Sequence, residues 1–314
     1  MSRYRYALPQ LSGKPFLTDG GLETTLIFHH GIDLPEFAAF DLLKDEAGTN
    51  LLRDYYRGYA EIARAHDAGF ILEACTWRAS SRWGDKLGHD AAALEKINRD
   101  CIDLMVEMRD EFDSDNTPFL ISGCVGPQGD GYTVGKTMSA DEAKAYHLTQ
   151  IQTLKDTEAD FVTVLTMNYV KEAIGVTKAA QTVGIPIVIS FTVETDGTLP
   201  SEQSLQSAIE EVDTATNNGP VYYMLNCAHP SHYAPTLDTD DAWVKRIHGL
   251  RSNASSCSHA ELDEAEELDA GNSAELGKQH RALIDRHPHI NVHGGCCGTD
   301  ETHIKAIADA CFGA

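Results

Sequence analysis

Short apolar runs alternate with longer amphipathic stretches along the whole chain. The apolar runs predict eight β-strands, at residues 16–18, 70–72, 119–122, 161–165, 185–191, 222–225, 247–250 and 289–292. The stretches between them predict α-helices over 50–66, 91–111, 140–158, 171–183, 202–216, 274–286 and 302–311. Eight strand-then-helix units of roughly 40 residues favour an α/β fold, a parallel (β/α)₈ TIM barrel. We therefore expect one barrel domain spanning residues 1–314.

The helix predicted over 91–111 illustrates the pattern, because Leu94, Ile97, Ile102 and Met105 recur at helical spacing and form one apolar stripe. An open, doubly wound sheet is the alternative fold. It is disfavoured because no Gly-x-Gly-x-x-Gly motif follows a predicted strand. The seventh unit is the weakest, since residues 252–271 are polar and acidic.

The net charge of the chain limits the kinds of molecule that it can bind. Its 48 acidic and 25 basic residues give a formal net charge of −23. Such a surface repels phosphate backbones and anionic lipids, so we expect neither nucleic-acid nor membrane partners. The first residues lack a signal-peptide pattern and no apolar run approaches the ~18 residues of a membrane span, which predicts a cytoplasmic protein. In that reducing compartment the eight cysteines are expected as thiols or metal ligands rather than disulfides.

Two cysteine motifs carry the most specific chemistry in the sequence. Residues 294–298 read Gly-Gly-Cys-Cys-Gly, and Asn226-Cys227-Ala228 stands about seventy residues earlier. Cys227 follows the sixth predicted strand and Cys296 and Cys297 follow the eighth, so all three belong at the carboxyl-terminal rim, where barrel enzymes place their active sites. Three thiolates can hold zinc and leave its fourth position free, as catalytic zinc sites do. The alternatives are a disulfide between the adjacent Cys296 and Cys297, or plain buried thiols.

The three thiolate ligands predict which reaction such a zinc site would support. Zinc with three thiolates carries net negative charge and activates water poorly, whereas it would hold a thiol substrate as a nucleophilic thiolate. A methyl donor with a sulfonium or quaternary ammonium centre suits this site, because charge is cancelled in the transition state. Two rival hypotheses are a zinc hydrolase or lyase, and a non-catalytic barrel that releases zinc on oxidation.

The segment from Val292 to Thr299, followed by His303-Ile304, together with Asn226-Cys227, resembles the zinc-dependent homocysteine S-methyltransferase family, which has S-methylmethionine- and betaine-dependent members. The resemblance runs from about Phe16 to Ile307 and implies a (β/α)₈ barrel with Cys227, Cys296 and Cys297 as the zinc ligands. It implies transfer of a methyl group from an onium donor (S-methylmethionine, S-adenosylmethionine or betaine) to homocysteine, giving methionine. Another thiol or a selenol is the alternative acceptor, and the oligomeric state is not specified.

The resemblance also implies residues that contact the substrate. The segment Asp19 to Thr24 is similar to the family segment after the first strand, and Cys75 to Ser80 occupies the place of the one after the second. The implied substrate-binding residues are Asp19, Gly20, Thr76 and Asn226, with Asn226 orienting a ligand or the cysteine loop. His229 is expected as a rim histidine outside the metal shell.

One position departs from the family. Where many members carry a glutamate that binds the amino group of homocysteine, this chain has Leu165, followed by Thr166. A leucine cannot neutralise a buried ammonium. The charge must then come from another carboxylate, for which the candidates are Asp19, Glu23, Glu73 and Glu194, or the acceptor is not homocysteine.

Overall fold

Eight parallel strands close into a barrel in the computed structural model, which describes residues 2–265 and 267–313. Each strand pairs with the next one in sequence, and β1 pairs with β8 to complete the ring. The strands are β1 (Phe16–Thr18), β2 (Gly69–Glu73), β3 (Phe119–Val125), β4 (Phe161–Met167), β5 (Ile187–Phe191), β6 (Tyr222–Asn226), β7 (Ile247–Ser252) and β8 (Val292–Gly295). The predicted TIM-barrel fold is confirmed.

The helices lie between successive strands. They are α1 (Leu22–Thr24), α2 (Glu46–Ala65), α3 (Ser81–Leu87), α4 (Ala91–Phe112), α5 (Ala140–Lys155), α6 (Val170–Val183), α7 (Leu205–Thr216), α8 (Pro230–Leu237), α9 (His259–Asp263), α10 (Ser273–Arg286) and α11 (Glu301–Phe312). A π-helical turn at Thr25–His29 and 3₁₀ turns at Pro9–Ser12, Pro35–Phe37, Ala39–Lys44 and Ala242–Arg246 complete the described elements. None of the described helices is both long and apolar enough to span a bilayer.

Burial explains why the strands appear in the sequence as apolar runs. Every residue of β3 and β4 is buried, as expected for parallel strands covered by helices on one face and by the barrel interior on the other. The interior core is a layer of large side chains that fills the amino-terminal part of the barrel; it includes Phe16, Leu120 and Tyr222. Polar side chains replace this layer towards the carboxyl ends of the strands, where the site lies.

The eighth strand corrects the prediction of residues 289–292. The strand observed is Val292–Gly295, so it contains two glycines that carry no hydrophobic signal. A Cβ at Gly294 would overlap Oγ1 of Thr18 on the neighbouring strand, so only glycine permits the close approach that closes the barrel.

The remaining differences from the prediction are local. The weak seventh strand is present and extends to Ser252, and the fifth starts at Ile187 rather than 185. Four short helices, α1, α3, α8 and α9, were not predicted, because each has eight residues or fewer and lacks a repeating apolar stripe.

Candidate metal centre

The sulfurs of Cys227, Cys296 and Cys297 lie within 4.8 Å of one another at the carboxyl-terminal rim of the barrel. Cys227 directly follows β6, and the pair directly follows β8. Cys227 is buried, while Cys296 and Cys297 are partly exposed, so the cluster opens towards the barrel mouth. The topology thus brings together residues that are about seventy positions apart in the sequence.

Cys227 and Cys296 are joined in a disulfide in this structure. Sequence reasoning considered only a bridge between the adjacent Cys296 and Cys297, and that pair is not bonded. The observed partners come from different strands that end side by side at the rim. A disulfide supplies no thiolate, so metal binding by all three cysteines requires the reduced protein.

Backbone hydrogen bonds fix the two cysteine segments against β7. The amide of Cys227 donates to the carbonyl of Arg251, at 3.1 Å, and the amide of Cys296 donates to the carbonyl of Ser252, at 2.8 Å. Cys227 adopts a left-handed conformation, with φ of 54°. Such a conformation is uncommon in non-glycine residues, and it points to a backbone held in place by the surrounding structure.

Asn226 holds three strands together beneath the cysteines. Its Oδ1 accepts hydrogen bonds from the Thr166 amide, at 2.8 Å, and from the Ser190 hydroxyl, at 2.7 Å. Its Nδ2 donates to Oγ1 of Thr166, at 2.8 Å, and lies 3.9 Å from Sγ of Cys296. Thr166 has a φ of 64°, an outlier for a β-branched residue, where the register of β4 shifts. Asn226 therefore orients the cysteine region, and its amide is largely occupied by the protein.

Asp19 is buried and engaged by protein groups. Its carboxylate lies 2.7 Å from a guanidinium nitrogen of Arg251 and accepts a hydrogen bond from Tyr55, at 3.0 Å. Arg251 also donates to the carbonyls of Gly20 and Gly295. This buried pair ties the β1 end to the glycines of the cysteine motif. The predicted substrate contacts of Asp19 and Gly20 remain predictions.

Glu73, the last residue of β2, is a buried carboxylate. It is 4% exposed, and neither of its oxygens accepts a hydrogen bond from the residues that the structure describes. The nearby hydroxyls of Ser122 and Thr163 bond to each other, at 2.8 Å. Burial raises the pKa of Glu73 to about 7, against a lowering by Arg251.

Thr76 and Leu165 are both buried within the protein. The hydroxyl of the buried Thr76 donates to the carbonyl of Cys124, at 2.6 Å, so it is used inside the protein. Leu165 is buried and brings no charge to the rim. His229 caps α8, where its Nδ1 pairs with the Ser231 hydroxyl, and burial lowers its pKa.

Sequence reasoning missed two residues that lie against the cysteines. The hydroxyl of Tyr132, in the loop after β3, is 3.2 Å from Sγ of Cys297. His259, at the start of α9, is buried, and its Nε2 lies 2.7 Å from the carbonyl of Cys227. The two rings stack with centroids 4.2 Å apart. No local motif marked either residue, because the two loops that carry them meet only in the folded barrel.

The three sulfurs fit a zinc ion. Zinc with sulfur ligands at ~2.3 Å places them ~3.8 Å apart in a tetrahedron. The three sulfurs of this structure lie within 4.8 Å of one another, so one ion can reach all three once the disulfide is reduced. Three cysteines leave one coordination position for another ligand, which is the arrangement of catalytic rather than structural zinc sites.

Comparison with known proteins agrees with this fold. Two structures of the homocysteine methyltransferase MmuM from Escherichia coli are similar to the chain, both at 18% identity. The oxidized form covers 93% of this chain and 94% of its own, with a TM-score of 0.73. The metallated form covers 94% of this chain and 96% of its own, with a TM-score of 0.70.

A search of curated protein sequences returned no significant match. The model of one protein family, described as homocysteine S-methyltransferase, matches residues 16–311, which include the three cysteines. With the closed barrel and the three sulfurs at its rim, this match over nearly the whole chain shows that the protein belongs to the homocysteine S-methyltransferase family.

Proposed function

We propose that the protein is a zinc-dependent S-methyltransferase that moves a methyl group from an onium donor to a thiol, with homocysteine as acceptor and methionine as product. The observation that carries the proposal is the convergence of three cysteine sulfurs, within 4.8 Å, at the barrel rim of a chain from this family. Cys227, Cys296 and Cys297 are the proposed zinc ligands. Bound zinc would lower the pKa of an acceptor thiol and keep its sulfur nucleophilic near neutral pH.

The ammonium group of homocysteine needs a negative partner that Leu165 cannot provide. Asp19 is paired with Arg251, so its charge is already compensated. Glu73 is buried without a hydrogen-bond donor from the described residues, and its raised pKa shows that the fold disfavours its charge. A substrate ammonium would stabilise that charge. We therefore assign Glu73 as the proposed counter-charge for the amino group.

The aromatic ring of Tyr132 suits the onium donor. Its hydroxyl is next to Cys297, and its ring is held by stacking on His259. Aromatic faces attract sulfonium and quaternary ammonium groups through their quadrupole. Tyr132 would thus favour the charged donor beside the position where the acceptor sulfur lies.

The test uses the reduced, zinc-loaded protein. S-methylmethionine, S-adenosylmethionine and betaine are each offered with homocysteine, cysteine or selenohomocysteine, and the products are identified by mass spectrometry. Methionine formed from homocysteine supports the proposal. Cys297→Ser should lose zinc and activity while it keeps the circular dichroism of the barrel. Cys311→Ser, in the last helix, is the matched control and should keep both. Full turnover by Cys297→Ser, or no methyl transfer from any donor by a protein that holds zinc, would contradict the proposal.

The disulfide favours a second candidate function, a redox-responsive zinc barrel without catalysis. Oxidation that joins Cys227 to Cys296 removes two of the three thiolates at once. Zinc release by peroxide, reversed by a reductant, is expected from either function. Only the absence of methyl transfer to every thiol would distinguish the second candidate from the first.

A further inference from the structure

A cleft lined by residues of the loop after β1, of the loops after β2 and β3 and of α3 contains three cationic side chains. It has a volume of about 450 Å³. Its lining includes Glu36, Arg78, Arg82, Trp83, Lys86 and Asp130. The chain has a net charge of −23, so three cations around one cleft are a local reversal of the overall charge.

Arg78 is the central residue of the cleft. Its guanidinium carbon lies over the rings of Trp77 and Trp83, 3.8 and 3.7 Å from their centroids, which fixes the group by cation–π contacts. It is 4% exposed, and its Nη1 donates to the carbonyl of Gly129, at 3.2 Å. Its Nε is buried without an acceptor among the described residues.

The charge of Arg78 has no carboxylate partner. Within residues 2–265 and 267–313, no carboxylate oxygen lies within ion-pair distance of its guanidinium. Burial lowers its pKa to about 10, although Asp130, Glu23 and Glu36 raise it from further away. A buried cation without a counter-charge is costly, and this chain has 48 acidic residues from which a partner could have been drawn.

The two carboxylates of the cleft are already engaged. Glu36 accepts from Nζ of Lys86, at 2.8 Å. Oδ1 of Asp130 accepts from the amides of Tyr132 and Thr133. Arg82 is exposed, and its Nη1 donates only to the neutral Oε1 of Gln128, at 3.0 Å, among the described residues. Neither Arg78 nor Arg82 therefore has a carboxylate partner among the described residues, and an external anion would supply one.

The other wall of the cleft is apolar and strained. Phe37 is 52% exposed, and Glu36 and Phe37 have consecutive left-handed φ values of 54° and 57°. Two such residues in sequence, one of them aromatic, are costly, and such conformations cluster at ligand sites. The ion pair of Glu36 with Lys86 holds this segment across from Trp83. The cleft thus combines cations with aromatic surface.

We propose that this cleft binds a small molecule that has an anionic group, carboxylate or phosphate, next to a planar apolar part. Arg78 and Arg82 would hold the anion through their guanidinium N–H groups, which match the oxygens of either group. Phe37, the exposed aromatic ring of the cleft, would contact the apolar part. The proposal does not depend on zinc binding or on methyl transfer.

The experiment titrates the whole protein with benzoate and with phenyl phosphate, and uses benzyl alcohol as the uncharged control. Trp77 and Trp83 are two of the three tryptophans of the chain, so binding is followed by tryptophan fluorescence and checked by calorimetry. Saturable binding of at least one anion, with none of benzyl alcohol, is expected. The anion that binds more tightly identifies the preferred group.

Variants locate the binding. Arg82→Gln, an exposed and structurally safe change, should weaken the anion by about tenfold, and Arg78→Gln by more, because charged hydrogen bonds are lost. Arg78→Lys keeps the charge but loses the planar guanidinium, so its affinity for the anion should lie between that of Arg78→Gln and that of the unaltered protein. Arg99→Gln, an exposed arginine paired with Glu95 on α4, is the matched control and should bind like the unaltered protein. No saturable binding of either anion, or unchanged affinity in Arg82→Gln, would overturn the proposal.

Discussion

Arg251, at the end of β7, and Asp19, just after β1, form an ion pair of 2.7 Å in which both side chains are buried. The same guanidinium donates to the carbonyl of Gly295 in the cysteine motif. The ion pair therefore joins the carboxyl ends of β7 and β1, and Arg251 also holds the segment that carries Cys296.

Removal of one partner of this pair should be strongly destabilising. Arg251→Met leaves the Asp19 carboxylate buried and unpaired, and we expect the free energy of unfolding to fall by about 3–5 kcal/mol. The double variant Asp19→Asn/Arg251→Met should recover part of this loss, since no buried charge remains. Urea denaturation followed by circular dichroism measures both values. Arg99→Ala breaks an exposed pair and should cost no more than about 0.5 kcal/mol. Equal effects at the two arginines would refute the assigned role of burial.

The Glu73 carboxyl should make stability depend on pH in a defined window. Its pKa is about 7 in the folded protein and 4.5 without perturbation, so between these values the folded state keeps a proton that the unfolded state has lost. The free energy of unfolding is therefore unaffected by this group below pH 4.5 and falls by about 3 kcal/mol in total as the pH rises from 4.5 through 7. Glu73→Gln is neutral at every pH, and we expect it to be more stable than the unaltered protein at pH 8 but not at pH 4.5.

Glu73→Gln also tests whether this carboxylate binds the amino group of homocysteine, independently of its effect on the free energy of unfolding. If Glu73 is the counter-charge for the substrate ammonium, Glu73→Gln should raise KM for homocysteine by about tenfold or more, with a smaller effect on kcat. Steady-state kinetics at pH 8 measure both. A variant that is stabilised and retains the KM of the unaltered protein would show that the buried carboxylate does not bind the amino group.

Most of the barrel could be predicted from the sequence because its strands are buried on both faces. Segments such as β3 and β4 therefore appear as continuous apolar runs. β8 was misplaced for a physical reason: Gly294 and Gly295 are required by close packing rather than by hydrophobicity. The short helices α1, α3, α8 and α9 were missed because they have too few residues to form a repeating apolar stripe.

Of the candidate site, only the cysteine cluster could be predicted from the sequence, because cysteine motifs of this kind are rare. Cysteines after two strands of a barrel meet at the rim, so the cluster followed from topology. Tyr132 and His259 come from loops after β3 and β7, and nothing in either loop indicates that the two rings stack. The pairing of Asp19 with Arg251 was equally hidden, because a charged residue at the end of a strand does not reveal its partner.

Gly294 should be intolerant of any side chain. A Cβ there would overlap Oγ1 of Thr18, and Cβ of Thr18 and the carbonyl of Asp19 lie 3.0 and 3.1 Å from it. We expect Gly294→Ala to lower the free energy of unfolding by about 1–3 kcal/mol through overpacking. Gly135→Ala is the matched control, because nothing lies within 4 Å of its added methyl group. Thermal unfolding of the two variants makes the comparison, and similar melting temperatures would argue against the close contact of β1 and β8.

Asn226→Ala should weaken the metal centre without removing a ligand. The side chain fixes Thr166 through its amide and hydroxyl and contacts Cys296, so its loss frees both segments around the sulfurs. Partners that orient metal ligands typically contribute 10–100-fold in affinity, and we expect a loss of that order for zinc, measured by competition with a chromophoric chelator under reducing conditions. The Thr166 amide, left without its buried acceptor, should add about 1–3 kcal/mol of destabilisation. Asn50→Ala, on the exposed face of α2, is the control and should change neither quantity. Unchanged zinc affinity in Asn226→Ala would mean that the cysteine segments hold their positions without it, and that Asn226 serves only to join β4, β5 and β6.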